Sequence, residues 1–226
     1  MVYHKKQMQK HPNYSLGLSS FPLLAGETII AAAVYLETRQ NPGETRARLQ
    51  ASNLLQRKHF STSTVAVREV VKRLKHADEW ELDTLAENQD FADSSFICTL
   101  LVSRQYPILL ELVRSLIKYK YDGKDTILQS YEIESWYQDF LDSIPQRRAI
   151  KESTFMRLLI NTRQILREGG LLSPASPDEF TIHRPRVSLA LRSYYENLNK
   201  RENLEMLLLS NYQIKHILES GRGKAS

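Results

Sequence analysis

The side chains that could serve as acids, bases, nucleophiles or metal ligands are scattered along this 226-residue chain rather than gathered. None of its six histidines, His4, His11, His59, His76, His183 and His216, stands at a common metal-motif spacing from another histidine, a cysteine or a carboxylate. Glu132 and Glu134 would face apart on a helix, and Asp139 and Asp142 read as helix-surface acids. No serine sits in a nucleophile-elbow sequence, and Gly169-Gly170 lacks the further glycines and the lysine of a phosphate-binding loop. Cys98, the single cysteine, lies in the apolar run Phe96 to Val102 and reads as a small buried residue. These patterns argue against an enzyme and imply no cofactor, metal or small-molecule substrate. What remains is cationic chemistry.

The most suggestive cations lie in Ser61 to His76, STSTVAVREVVKRLKH. Val67, Val70, Val71 and Leu74 recur at helical spacing, Arg68, Lys72 and Lys75 follow one another along another face, and Thr62 or Ser63 is placed to cap the start. A helix of this kind offers one face to a core and one to something negatively charged; the same stripe also suits a plain solvated face. Arg46 and Arg48 sit on a short helix just upstream, from about Pro42 to Ser52, announced by the cap-and-proline pair Asn41-Pro42. A second basic group comprises Arg157, Arg163 and Arg167 on a helix from Glu152 to Glu168, then Arg184 and Arg186 beyond Phe180-Thr181-Ile182. Helix, glycine cap at Gly169-Gly170, short strand, turn and second short strand is how a winged helix ends, and there Arg184 and Arg186 could reach phosphates or a minor groove.

The elements that position these cations are mainly helical. A hydrophobic fraction of 42% and a charged fraction of 25% are those of a folded protein with a sizeable core. The net charge of +5 hides a division: residues 1 to 76 carry +8, 77 to 143 carry −9, 144 to 201 carry +6 and 202 to 226 carry none. The acidic middle could hold the basic ends together within the chain, or repel nucleic acid and meet a protein partner. That middle contains an acidic helix opened by Asp78-Glu79, two apolar helices at about Ala92 to Arg104 and Ile108 to Tyr119, and one more helix within Ile127 to Ile144. Tyr106, Tyr119, Tyr121 and Tyr131 read as core or boundary residues rather than base-stacking platforms.

The expected architecture is mainly α, a helical bundle with a helix-turn-helix-like N-terminal part and a winged-helix-like C-terminal part. The domains fall at 14–145 and 146–218, with flexible tails at 1–13 and 219–226. The loop between Ser52 and Ser61 is longer than the tightest helix-turn-helix allows. No apolar run approaches the roughly 20 residues that span a bilayer, and no signal-peptide core follows the start, so a cytoplasmic protein with no membrane association is expected.

An ordered set of segments resembles the BrxA-like small proteins of bacteriophage-exclusion (BREX) defence systems. The set runs from Tyr14-Ser15, Leu23-Leu24 and Glu27-Thr28 to Asn53-Leu54-Leu55-Gln56, Ser61-Thr62-Ser63-Thr64 and Arg68-Glu69-Val70-Val71-Lys72-Arg73-Leu74. It continues with Arg104-Gln105-Tyr106-Pro107, Ser153-Thr154 and Leu166-Arg167-Glu168-Gly169-Gly170-Leu171-Leu172, so that the likeness spans roughly Tyr14 to Leu191. The resemblance implies a non-enzymatic accessory protein that binds double-stranded DNA in phage defence, with no catalytic residue to carry over. Alanine is common in that family where this chain has Gly169, a difference expected only to shorten or loosen the helix end.

Together these readings predict a double-stranded DNA-binding accessory protein using Arg68, Lys72 and Lys75 on one surface and Arg163, Arg167, Arg184 and Arg186 on another, with Arg46 and Arg48, beside the loop to Ser61, as further nucleic-acid-binding residues. Phosphate contacts should dominate, with steep salt dependence and little sequence preference. A different reading is a scaffold whose acidic middle and C-terminal helices bind other proteins of the same defence system. A third is an RNA-binding helical protein.

Overall fold

The computed structural model describes residues 15, 17–55, 60–144 and 150–222. The expected tail at 1–13 and most of the segment joining the two expected domains lie outside the described residues.

A 3-10 turn (Gly17–Ser19) and an extended arm lead into α1 (Ala25–Glu37), which starts at Leu24 in the left-handed conformation. α2 (Pro42–Ala51) begins as its sequence predicts: the Asn41 side chain accepts from the amides of Gly43 and Glu44, and Pro42 fills a position that needs no amide. α3 (Phe60–Leu74) buries Val67, Val70, Val71 and Leu74. It starts earlier than a Thr62 or Ser63 cap would have it; Ser63 lies within the helix and is buried against the core. α1 packs on α2, on α3 and on α4 (Glu79–Glu87), which makes the helix-turn-helix-like N-terminal part.

Arg73 pins the arm to this bundle. Its buried guanidinium donates Nη1 to the carbonyls of Pro22 (3.1 Å) and Leu23 (2.5 Å) and Nε to Glu69 at 2.8 Å. The Tyr106 hydroxyl donates to the same carboxylate at 2.8 Å. Gly17 lies against the Tyr106 ring so closely that a Cβ would stand 2.3 Å from it.

α5 (Phe91–Gln105) is the hub, capped by Asp90, buried from Asp93 to Ser103 and packed against α1, α3 and α4. It meets the next helix at 108°. That helix runs through α6 (Pro107–Leu112), a π turn (Val113–Ile117) and α7 (Lys118–Asp122). Among the described residues no single helix is long and apolar enough to cross a membrane.

The winged unit follows in the order β1 (Ile127–Gln129), α8 (Ser130–Asp142), α9 (Glu152–Glu168), β2 (Leu172–Ser176) and β3 (Glu179–Ile182). The antiparallel sheet has the order β1-β3-β2, with Leu128 opposite Phe180 and Leu172 opposite Ile182. Helix, strand, two helices and a hairpin whose last strand is central is a winged-helix arrangement. The helix expected within Ile127 to Ile144 is α8, and the first three residues of that stretch, Ile127 to Gln129, pair with β3 with Leu128 fully buried. β1 precedes residue 145 and its partner follows it, so the sheet draws on both sides of the expected domain boundary.

α10 (Leu189–Leu198), α11 (Arg201–Met206) and α12 (Asn211–Arg222) fold back over the hub and complete the core; α12 runs past Leu218, where a flexible tail is expected. The Tyr194 ring stacks on Trp80 with centroids 4.0 Å apart. Glu81 is fully buried and accepts both Nη atoms of Arg104 at 2.7 Å and the Tyr195 hydroxyl at 2.8 Å. Arg104 also donates to Asn203 at 3.2 Å.

Candidate nucleic-acid interface

Two cationic faces emerge from this scaffold. On the first, Arg68 and Lys72 project from α3 into solvent and Lys75 follows just past its end, all three exposed. Lys72 carries its ammonium 5.3 Å from the centroid of the Tyr106 ring, an aromatic floor fixed from below by Glu69. Burial and the Glu69 carboxylate push the Tyr106 phenol well above its ordinary value, so it stays neutral. Arg46 is exposed on α2, where its Nε donates to the Pro42 carbonyl at 2.9 Å. Arg48, also on α2, pairs with Glu37 at 2.7 Å.

The second face belongs to α9. Leu158, Leu159, Thr162, Ile165 and Leu166 are buried, Arg157 and Arg167 are exposed on the other side, and Arg163 is half-buried with its Nε unpartnered. Between α9 and the hairpin lies an open groove of about 570 Å³ lined by Arg163, Gln164, Arg167, Leu172, Pro174 and Phe180 among others. Arg186 is exposed beyond β3. Arg184 behaves differently from a groove-reaching cation. It turns inward, donating Nη2 to the Leu208 carbonyl at 3.1 Å and to Gln213 at 3.3 Å, and so ties the end of the wing to the C-terminal helices.

A short run of contacts joins the faces. Lys72 covers Tyr106, Tyr106 packs on Gly17, and the carbonyl of Leu18 accepts from Asn161 of α9 at 2.7 Å.

Ion pairing separates the cations into two groups. In the acidic middle, Arg104 pairs with Glu81, Arg114 with Glu111, Lys118 with Asp122, and Lys120 with both Asp125 and Glu132. These carboxylates thus neutralise cations of their own segment rather than those of the basic blocks. Arg46, Arg68, Lys72, Lys75, Arg157, Arg163, Arg167 and Arg186 have no carboxylate partner among the described residues. Unpaired cations attract a polyanion without first giving up an internal salt bridge.

Cys98 is buried in α5, and burial pushes its thiol up to about 12, as suits a core residue. Tyr119 and Tyr131 are more exposed than boundary residues would be, at 61% and 65%, whereas Tyr106 is buried. Sequence reasoning left the exposed apolar residues Met156 and Ile160 and the exposed Gln164 of α9 without a role. Their positions on the solvent side of the helical repeat are the signal that could have found them.

The architecture has a solved counterpart in the crystal structure of an uncharacterized protein from Magnetospirillum magneticum. That protein is 16% identical, with a TM-score of 0.71 over 87% of this chain and 98% of the other. No curated protein matches the sequence. Residues 12–199 match the BrxA family, and the chain belongs to that family.

Proposed function

We propose that the protein binds double-stranded DNA in the cytoplasm, mainly through phosphate contacts, in the service of a bacteriophage-exclusion system. Membership of the BrxA family makes it a non-enzymatic accessory factor of such a system. The observation that carries the DNA reading is the partition of the cations: the exposed Arg68 and Lys72 of α3 and the arginines of α9 have no carboxylate partner among the described residues, whereas Arg104, Arg114, Lys118 and Lys120 of the acidic middle are held in ion pairs. On this reading Arg46, Arg68, Lys72 and Lys75 engage one stretch of backbone, and Arg163, Arg167 and Arg186 engage another. Arg48 and Arg184 serve the fold through Glu37 and Leu208.

A helix-turn-helix-like part and a winged-helix part support duplex DNA as the polyanion, since both present a helix to a groove about as wide as an α-helix. Binding of a duplex of about 30 base pairs should be strong at low salt and fall steeply toward physiological salt. Duplex RNA should compete poorly, because its deep major groove admits no helix. Affinity indifferent to salt would sink the phosphate account, and equal competition by RNA would favour the RNA reading.

One observation favours a second role as a scaffold. Glu79, Asp83 and Glu87 lie four residues apart on α4 and are all exposed, an acidic stripe that suits a basic protein partner from the same system. A pull-down from the native operon in which charge-neutralising this stripe lost no partner would count against it.

A further inference from the structure

The exposed face of α9 differs from a face made only for phosphates. Ser153, Ile160 and Arg167, spaced seven apart, run nearly in line along its centre, with Met156 and Arg163 on one flank and Arg157 and Gln164 on the other. No Asp or Glu occurs between Ser153 and Arg167. The centre of the face is nevertheless apolar: Ile160 is 54% exposed and Met156 46%. An isoleucine held in water among arginines gains nothing from phosphates, and it gains free energy where it meets another apolar group. In the winged-helix order α9 is the helix before the hairpin, the one this class of motif lays into the major groove. There the only apolar group that distinguishes one base pair from another is the thymine C5-methyl.

Resting on the DNA-binding reading, we propose that α9 reads A·T base pairs in the major groove. Ile160, with Met156 beside it, packs on thymine methyl groups, and Gln164 pairs with the N6 and N7 edge of adenine. Gln164 donates to Glu168 at 2.6 Å, an exposed contact that is exchanged for the base edge on binding. Arg157, Arg163 and Arg167 hold the flanking phosphates, so a modest base preference is superimposed on a binding energy that remains largely electrostatic.

The test uses the full chain and duplexes of equal length: one A·T-rich, one G·C-rich, and the A·T-rich one with every thymine replaced by uracil. The wild type should bind the A·T-rich duplex about tenfold tighter than the G·C-rich one, and several-fold tighter than its uracil counterpart. Met156→Ala/Ile160→Ala, two changes at exposed positions checked for an unaltered melting temperature, should bind the thymine and uracil duplexes equally with an unchanged salt slope. Gln164→Ala should retain the uracil effect and lose part of the preference over G·C. Equal wild-type binding to all three duplexes overturns base reading and leaves DNA binding standing. Uracil sensitivity that persists undiminished in Met156→Ala/Ile160→Ala overturns the assignment to these two residues. Failure of the wild type to bind any duplex at low salt removes the DNA reading itself.

Discussion

Glu81 holds the C-terminal helices to the hub through a carboxylate that no water reaches. Glu81→Ala leaves the guanidinium of Arg104 without its bidentate partner in a largely buried setting and should cost about 3–5 kcal/mol. Tyr195→Phe removes one hydrogen bond to the same carboxylate and should cost about 1 kcal/mol. Urea unfolding ranks the two; equal midpoints would contradict this reading of the cluster. Gly169 makes a sharper case. Glycine in place of the family's common alanine was expected only to shorten or loosen the helix end, but here a Cβ would stand 2.3 Å from the Thr99 hydroxyl, where the end of α9 lies against α5. Gly169→Ala should therefore destabilise by about 1–3 kcal/mol through overpacking. Adding Thr99→Ala should recover part of that loss, and a double variant no more stable than the single one would show that the strain lies elsewhere.

At the scale of elements, the winged unit takes its first strand from one side of the segment around residue 145 and the other two from beyond it. A fragment of residues 146–222 lacks β1, and it also lacks Glu81, which accepts from Tyr195, and Arg104, which donates to Asn203. It should show no cooperative thermal transition by circular dichroism, and a sharp transition would mean that the C-terminal part folds alone. Helices with a full apolar repeat were legible in the sequence. Val67, Val70, Val71 and Leu74 of α3 and Leu158, Leu159, Ile165 and Leu166 of α9 are all buried, and the Asn41-Pro42 start of α2 is made as its chemistry dictates. β1 was not legible, because three residues show no period and their partner lies some fifty positions on. The inward turn of Arg184 was hidden for a similar reason: Leu208 and Gln213 become its neighbours only when the last helices fold back. Exposure of Ile160 could be read from its place in the helical repeat, but its meaning depends on which helix of a winged unit carries it.

For the whole molecule, the buried phenols and thiol set a limit on alkaline stability. Burial, with help from Glu81 at Tyr195 and Glu69 at Tyr106, raises Tyr106, Tyr137 and Tyr195 above the ordinary 10.0, and burial raises Cys98 from 9.0. A group whose folded-state value is raised contributes stability fully below its unfolded value and loses it as pH rises toward the folded one. The melting temperature should therefore be insensitive to these groups below about pH 9 and fall progressively above it. A flat profile through the tyrosine range would contradict the buried, neutral state assigned to these groups.

The charge distribution acts at this scale too. Four of the five cations of the acidic middle, Arg104, Arg114, Lys118 and Lys120, are held in ion pairs, whereas Arg68, Lys72, Lys75, Arg163 and Arg167 of the basic faces have no carboxylate partner among the described residues and, on the proposed function, meet an external polyanion. The slope of log binding constant against log salt concentration tests that claim most directly, measured on random-sequence duplex DNA for the wild type and for Arg68→Ala/Lys72→Ala/Lys75→Ala. The wild type should show a steep negative slope, and the triple variant should flatten it by about three, close to one for each lost phosphate contact. A wild-type slope near zero, or a variant slope equal to it, would contradict the account.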